Sequence, residues 1–385
     1  MSGAIFPWKS GNRFELLVDG ERFFPLMLEA IAGARQDVAL ELYLVEDGRC
    51  SDTLVAALEA AAQRGVKVRC LFDDFGSLRL GSALRQRMAR AGIELRLYNP
   101  LNWRRGVRNL YRDHRKILVI DEDQAFIGGA GSTDAFWDPQ APHSAWHEVM
   151  ARIQGPLVQH WRALFDYQWQ ACQARLPWKP EHGPGLAHLP PSPPVGAGLG
   201  RLAYANARQH RDILQSLLRS VNHARQRVWL ATPYFLPSWK VRRTLIKAAR
   251  RGVDVCLLLT GRNTDHPPVR YAGQRYYPRL LRAGVRIFEY QPRFLHLKMV
   301  LVDDWVSVGS CNFDHWNLRF NLEANLEALD PAFTLAVADC FVSDFSDSRE
   351  ITLQDWQNRP LFKRFQQRLW GWLDRLVVNL LDRRR

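Results

Sequence analysis

Two histidines in this chain are each followed by a lysine two residues on and an aspartate five residues beyond that: His114, Lys116 and Asp121, then His296, Lys298 and Asp303. Phosphodiester transfer through a covalent intermediate needs a nucleophile, an acid for the departing alkoxide and cations over the non-bridging oxygens. Imidazole can serve as the first or the second near neutral pH, and the lysines supply the third. Only 8 of the 53 cationic side chains are lysine, yet two of them stand in these motifs. In an extended segment the period of two places each His and Lys on one face.

Each motif must be carried by a strand, and each lies at the same place in a repeated series. The first half runs AGARQDVALELYLV, QRGVKVRCLF and RAGIELRLY; the second runs NHARQRVWLATPYF, RRGVDVCLLL and RAGVRIFEY. Helix-ending Gly followed by alternating β-branched residues predicts strands entering near Val38, Val66 and Ile93, and again near Val228, Val253 and Val285. Ala34 to Ala224, Arg64 to Arg251 and Ala91 to Ala283 lie 190, 187 and 192 residues apart, a period too long for a solenoid and suited to a duplicated domain. Between the halves, Leu176 to Gly200 holds Pro or Gly at 12 of 25 positions, the composition of an extended linker. The expected organisation is α/β: a domain over 1–175, a linker over 176–200 and a domain over 201–385. Each domain is expected to hold a mixed, mostly parallel sheet flanked by helices, the two meeting face to face around one site.

The duplicated motif, with GGAG at 128–131 and GSCN at 309–312, resembles the phospholipase D superfamily, whose signature is H-x-K-x4-D followed by G-(G/S)-x-N. TPYFLP at Thr232–Pro237 and NLEAN at Asn321–Asn325 extend the likeness to bacterial cardiolipin synthases of the B type, which lack N-terminal membrane helices. The resemblance implies that His114 attacks phosphorus while His296 protonates the leaving alcohol and deprotonates the incoming one. Lys116, Lys298, Asn312 and Ser310 would bind the phosphate, and Glu323 and Glu148 would fix the imidazole tautomers. Asp121 and Asp303, though part of the catalytic motif, are expected to brace the strand-to-turn backbone. No metal or other cofactor is expected, since the lysines provide the charge. The implied reaction transfers a phosphatidyl group from one phosphatidylglycerol to another; the alternative is a phosphodiesterase or nuclease with water as acceptor. Two departures stand out: Gly131 replaces the usual Asn, and five residues separate Asp303 from Gly309 where six separate Asp121 from Gly128. His147 and His315 lie near the motifs without ligand spacing and are read as non-catalytic.

The whole composition fits these readings. At 385 residues with 47% hydrophobic residues the chain is neither collagen-like nor disordered, and its net charge of +14 favours an anionic partner. That partner is a membrane surface or, less favoured, a nucleic acid. The basic run Trp103–Lys116 enters the first motif and suits either one. Arg359–Arg385 reads as a basic amphipathic helix, with Phe362, Phe365, Leu369, Leu373, Leu376 and Leu380 at helical spacing and Trp370 and Trp372 beside them. Six cysteines without CxxC spacing suggest a reducing compartment. With no apolar run of spanning length, the expected location is peripheral, on the cytoplasmic face of a bacterial membrane.

Overall fold

The computed structural model describes residues 6–138, 140–141, 145–173, 186, 192–206, 211–314 and 317–360, with 362, 365–367, 369–370 and 372 near the end. In the first half β1 (Lys9–Val18), α1 (Gly20–Gly33), β2 (Asp37–Leu42), α2 (Arg49–Gln63), β3 (Lys67–Asp73), α3 (Ser82–Arg90) and β4 (Glu94–Tyr98) lead to a kinked 3-10 stretch, Trp103–Leu110. There follow β5 (Arg112–Asp113), β6 (Ile117–Ile120), β7 (Gln124–Gly128), β8 (Val149–Gln154) and α4 (Val158–Gln173). The second half repeats the plan with β9 (Gly198–Ala205), α5 (Arg211–His223), β10 (Arg227–Thr232), α6 (Trp239–Arg250), β11 (Asp254–Thr260), α7 (Pro267–Gln274), α8 (Tyr277–Leu281) and β12 (Arg286–Tyr290). It closes with β13 (Met299–Val302), β14 (Trp305–Gly309), α9 (Asn317–Phe320), β15 (Asn321–Leu329), α10 (Pro331–Ser346), β16 (Ser348–Glu350) and α11 (Leu353–Gln357). All six strands expected from the repeated phrases lie within a residue or two of where the sequence places them.

The two sheets join edge to edge, where a face-to-face meeting was expected. The order β4-β3-β2-β6-β7-β8-β1 continues through antiparallel pairing of β1 with β9 into β9-β15-β14-β13-β10-β11-β12-β16. Within each half the parallel part is confined to β2-β3-β4 and β10-β11-β12, so the sheets are mixed and not mostly parallel. The physical reason is turn length: only residues 121–123 join β6 to β7 and only 303–304 join β13 to β14, and so short a connection returns antiparallel. β9 begins at Gly198, inside the expected linker, because Gly198 and Gly200 fit against β1, where a Cβ would meet Asn12 O or the Phe14 ring. Most of 176–197 lies outside the described residues.

Alternation along the central strands feeds separate cores. Ile117 and Val119 of β6, with Met299 and Leu301 of β13, join one cluster under α4 and α10 that spans both halves. Leu118 and Ile120 pack on the other face with α1, α2 and α3; Val300 and Val302 do so with α5, α6 and α8. This double-sided burial fixes the strand ends, and the motifs sit at those ends.

Candidate active site

Each motif histidine is presented by the opposite half. β5 pairs in parallel with the start of β15, and the His114 N–H donates to Leu322 O at 3.0 Å, placing His114 beside Glu323. In the matching arrangement His296 N–H donates to His147 O and His147 N–H to Phe294 O, both at 2.8 Å, placing His296 beside Glu148. The side chains then cross the same boundary. His114 Nδ1 lies 3.1 and 3.0 Å from the two Glu323 oxygens, and His296 Nδ1 lies 2.5 Å from Glu148 Oε2. With its Nδ1 committed as a donor to Glu323, His114 keeps the lone pair on Nε2.

The lysines complete a buried cluster of opposite charges. Lys298 Nζ is 3.3 Å from Glu148 Oε2 and 2.8 Å from His296 Nδ1. Lys116 Nζ donates to His114 O at 2.5 Å and lies 5.2 Å from the Tyr43 ring centre. Burial pushes the Lys116 ammonium down to about 7, with the Lys298 charge adding to the effect of desolvation and Glu323 opposing it. Burial also lowers His114, and takes His296 down to about 3 with the help of Lys298. Burial alone would raise the two carboxyls, yet Lys298 and His296 hold Glu148 at about 2, and His114 and Lys116 keep Glu323 below the usual range. The charge of each lysine is felt at the histidine of the other half, so the two motifs form one electrostatic unit.

The chain that carries this site has known relatives. Residues 27–169 and 217–345 match the family described as "Cardiolipin synthase, PLD-like domain". The chain is 35% identical over 340 residues to cardiolipin synthase B of Salmonella typhi, covering 86% of this chain and 80% of that one. It is 33% identical over 351 residues to cardiolipin synthase A of Pseudomonas entomophila, covering 91% of this chain and 72% of that one. The chain belongs to the cardiolipin synthase family of PLD-like proteins. Its fold is also that of phosphatidylserine synthase from Haemophilus influenzae Rd KW20, with a TM-score of 0.76 over 98% of this chain and 96% of that one at 14% identity.

Within the family signature the two Gly-rich turns differ for identifiable reasons. A Cβ at Gly131 would lie 2.5 Å from Leu44 O, so the backbone that receives the Ser132 N–H leaves no room for the usual Asn. A Cβ at Gly129 would lie 2.1 Å from Glu148 Oε2. The equivalent residue of the second half is Ser310, whose hydroxyl donates to Glu323 Oε2 at 2.5 Å and accepts from Ala324 N–H. Ser310, expected on phosphate, is thus held by the carboxylate that orients His114. Asn312 is buried, and its Oδ1 has no hydrogen-bond partner among the described residues.

The motif aspartates stand apart from the histidine cluster. Asp121 accepts from the N–H groups of Arg35, Gln36 and Asp37 at 2.7–2.8 Å, and Asp303 from those of Arg225, Gln226 and Arg227 at 2.9–3.0 Å. Each clamps its hairpin turn to the start of the neighbouring strand, β2 or β10. The second turn is the shorter by one residue, as the spacing suggests.

Sequence reading missed the aromatic walls. Phe136, Trp146 and Phe294 surround the His296 ring with centroids 5.2, 5.3 and 5.6 Å away, and Tyr43 meets His114 edge-on at 5.0 Å. It also missed Asp73, which accepts from the Asp113 N–H of β5 at 2.8 Å and from the Arg112 guanidinium at 3.3 Å. Position two residues before Glu148 is the one signal that could have flagged Trp146. Among the described residues His147, Cys340 and Asp344 gather donor atoms within 4.8 Å. Both His147 nitrogens, however, face carboxylates, Asp19 at 2.8 Å and Asp344 at 3.0 Å, an arrangement that suits an imidazolium and not a metal ligand. His315 lies outside the described residues.

Proposed function

We propose that the protein is a cardiolipin synthase that transfers a phosphatidyl group from one phosphatidylglycerol to the primary hydroxyl of another and releases glycerol. The observation that carries this reading is the crossed pair of His–Glu contacts with both lysines in the same buried cluster. His114 Nε2 attacks phosphorus; the bond from phosphorus to the glycerol oxygen breaks, and that oxygen takes a proton from His296. The phosphatidyl-histidine is then attacked by the hydroxyl of the second lipid, whose proton passes to His296 as the P–N bond breaks and His114 is freed. The anionic phosphodiester favours the protonated His296 that the first step requires. Lys116, Lys298 and Asn312 hold the non-bridging oxygens, and Glu323 and Glu148 orient the imidazoles. Two ammonium groups supply the charge stabilisation that a metal ion supplies in other phosphoryl-transfer sites, so the reaction is metal-independent.

The enzyme acts peripherally, at the cytoplasmic face of the membrane. Support comes from the terminal segment, where Phe362, Phe365, Leu369 and Trp372 are exposed and the apolar stripe is therefore open to an interface. Leu373, Leu376 and Leu380 lie outside the described residues. No helix among the described residues is long and apolar enough to cross a membrane. The test is incubation of the full chain with phosphatidylglycerol vesicles in the presence of a chelator, with lipid products resolved by mass spectrometry. Cardiolipin and glycerol, both absent with His114→Ala and with His296→Ala, are expected; phosphatidic acid instead would make water the acceptor and refute the transferase reading.

A further inference from the structure

Two loops at the C-terminal ends of β3 and β4 hold six large apolar side chains in water. Phe75 and Leu78 follow β3, and Leu101, Trp103, Val107 and Leu110 follow β4; all six are exposed, Trp103 at 85%. These are not slack segments. The Leu101 N–H donates to Asp74 Oδ2 and the Asp74 N–H to Tyr98 O, each at 3.0 Å, tying one loop to the other. Asn99 Nδ2 donates to the carbonyls of Arg108 and Tyr111 at 2.8 Å, while Asn102 and Asn109 exchange two further bonds. A fixed cluster of this kind marks an interaction surface, whereas a single exposed apolar residue does not.

The charge around the cluster selects the partner. Arg79 and Arg104 are exposed within it, and the Arg104 guanidinium lies 5.0 Å from the Trp103 ring centre. Trp beside Arg above apolar tips is the composition of a segment seated in a membrane interface, with cations at the level of anionic headgroups. The position is also right for lipid delivery. From Leu110 the chain runs through Tyr111, whose ring is 6.1 Å from Phe320 of the second half, into β5 and then His114. We propose that residues 75–79 and 101–110 are the face on which the protein docks to an anionic bilayer, with Trp103 entering the headgroup region at the rim of the site. The proposal rests on a lipid being the substrate.

The experiment measures flotation of the full chain with phosphatidylcholine vesicles, with and without phosphatidylglycerol. Trp103→Ser/Val107→Ser is expected to weaken binding roughly tenfold or more, and Arg104→Glu to weaken it only where phosphatidylglycerol is present. Leu335→Ser, an exposed position on α10, should bind as the parent does, and unchanged melting temperatures confirm folding. The ratio of turnover on vesicles to turnover on soluble short-chain phosphatidylglycerol should fall with vesicle binding. Parent-like binding by the Trp103→Ser/Val107→Ser variant overturns the proposal. So does loss confined to Phe362→Ser/Phe365→Ser, or loss of single-stranded DNA binding in place of vesicle binding. Parent protein that floats but turns over no soluble phosphatidylglycerol refutes the cardiolipin synthase reading and leaves the docking face standing.

Discussion

In the proposed mechanism the glutamate at each imidazole determines which ring nitrogen reacts. Because Glu323 holds His114 Nδ1, Glu323→Gln removes the charge that fixes the tautomer while keeping the shape. A fall in kcat of about a hundredfold is expected, whereas His114→Ala should give no product with or without Glu323→Gln, because the two act as a unit. Steady-state assay of the three variants checks this. Lys116 gives a second prediction. Its ammonium, lowered by burial to about 7, is charged below that pH and neutral above it. Affinity for an anionic phosphodiester therefore falls as pH rises through about 7, seen as an alkaline limb in kcat/KM, which reports the free enzyme. Lys116→Arg, charged throughout, should lose that limb while working at a lower level because its fork does not match the ammonium geometry. The histidines and lysines of the site were legible as residue types in a duplicated spacing, and the glutamates only through the family resemblance. Which glutamate serves which histidine was not, since the partners are 209 and 148 residues apart and the pairing crosses the halves. Tyr43, Phe136 and Phe294 were equally hidden, because an aromatic residue in a strand or loop reads first as core.

Hairpins are the elements that turn a linear motif into a site. Asp121 and Asp303 adopt positive φ, 50° and 51°, which Asp tolerates, and each gathers three N–H groups from the residues that open the neighbouring strand. The aspartate of the motif is thus five residues after the lysine because it must reach past one short strand. Asp303→Ala is expected to lose about 2 kcal/mol of stability, from unpaired donors and a strained left-handed backbone. Thermal melting should show a drop of several degrees while kcat changes far less than with His296→Ala; a collapse of kcat at unchanged stability would place the carboxylate in the reaction. Strands were the most legible elements, since Gly-terminated helices feed β-branched runs in both halves. Their sheet order was not, because the share of antiparallel pairing follows from turn length after the motif and not from the strand sequences themselves.

At the scale of the molecule, edge pairing of β1 with β9 merges the halves into one sheet, and a buried ion network locks them beside the site. His147 of the first half bridges Asp19 and Asp344, stacks on Tyr290 with centroids 5.0 Å apart, and has Arg293 beside it on Asp19 and the Cys340 thiol on Asp344. Its backbone also pairs with residues 294–296, so the lock and the presentation of His296 are one structure. Burial alone would lower His147, but the hydrogen bonds its ring donates to Asp19 and Asp344, and their charges, raise it to about 9. A histidine whose folded value lies above its unfolded 6.5 stabilises the fold fully below 6.5 and loses that contribution as pH rises through about 9. His147→Gln removes it at every pH. The stability difference between parent and His147→Gln should therefore be greatest near pH 6 and shrink by about 2–3 kcal/mol by pH 10, read from denaturant midpoints across that range. Taking the difference cancels the other titrating groups, including Lys116, whose lowered value makes stability rise with pH over the same window. A difference constant with pH would mean that His147 is neutral in the folded protein and that the two halves are held by β1–β9 pairing and packing without this charge.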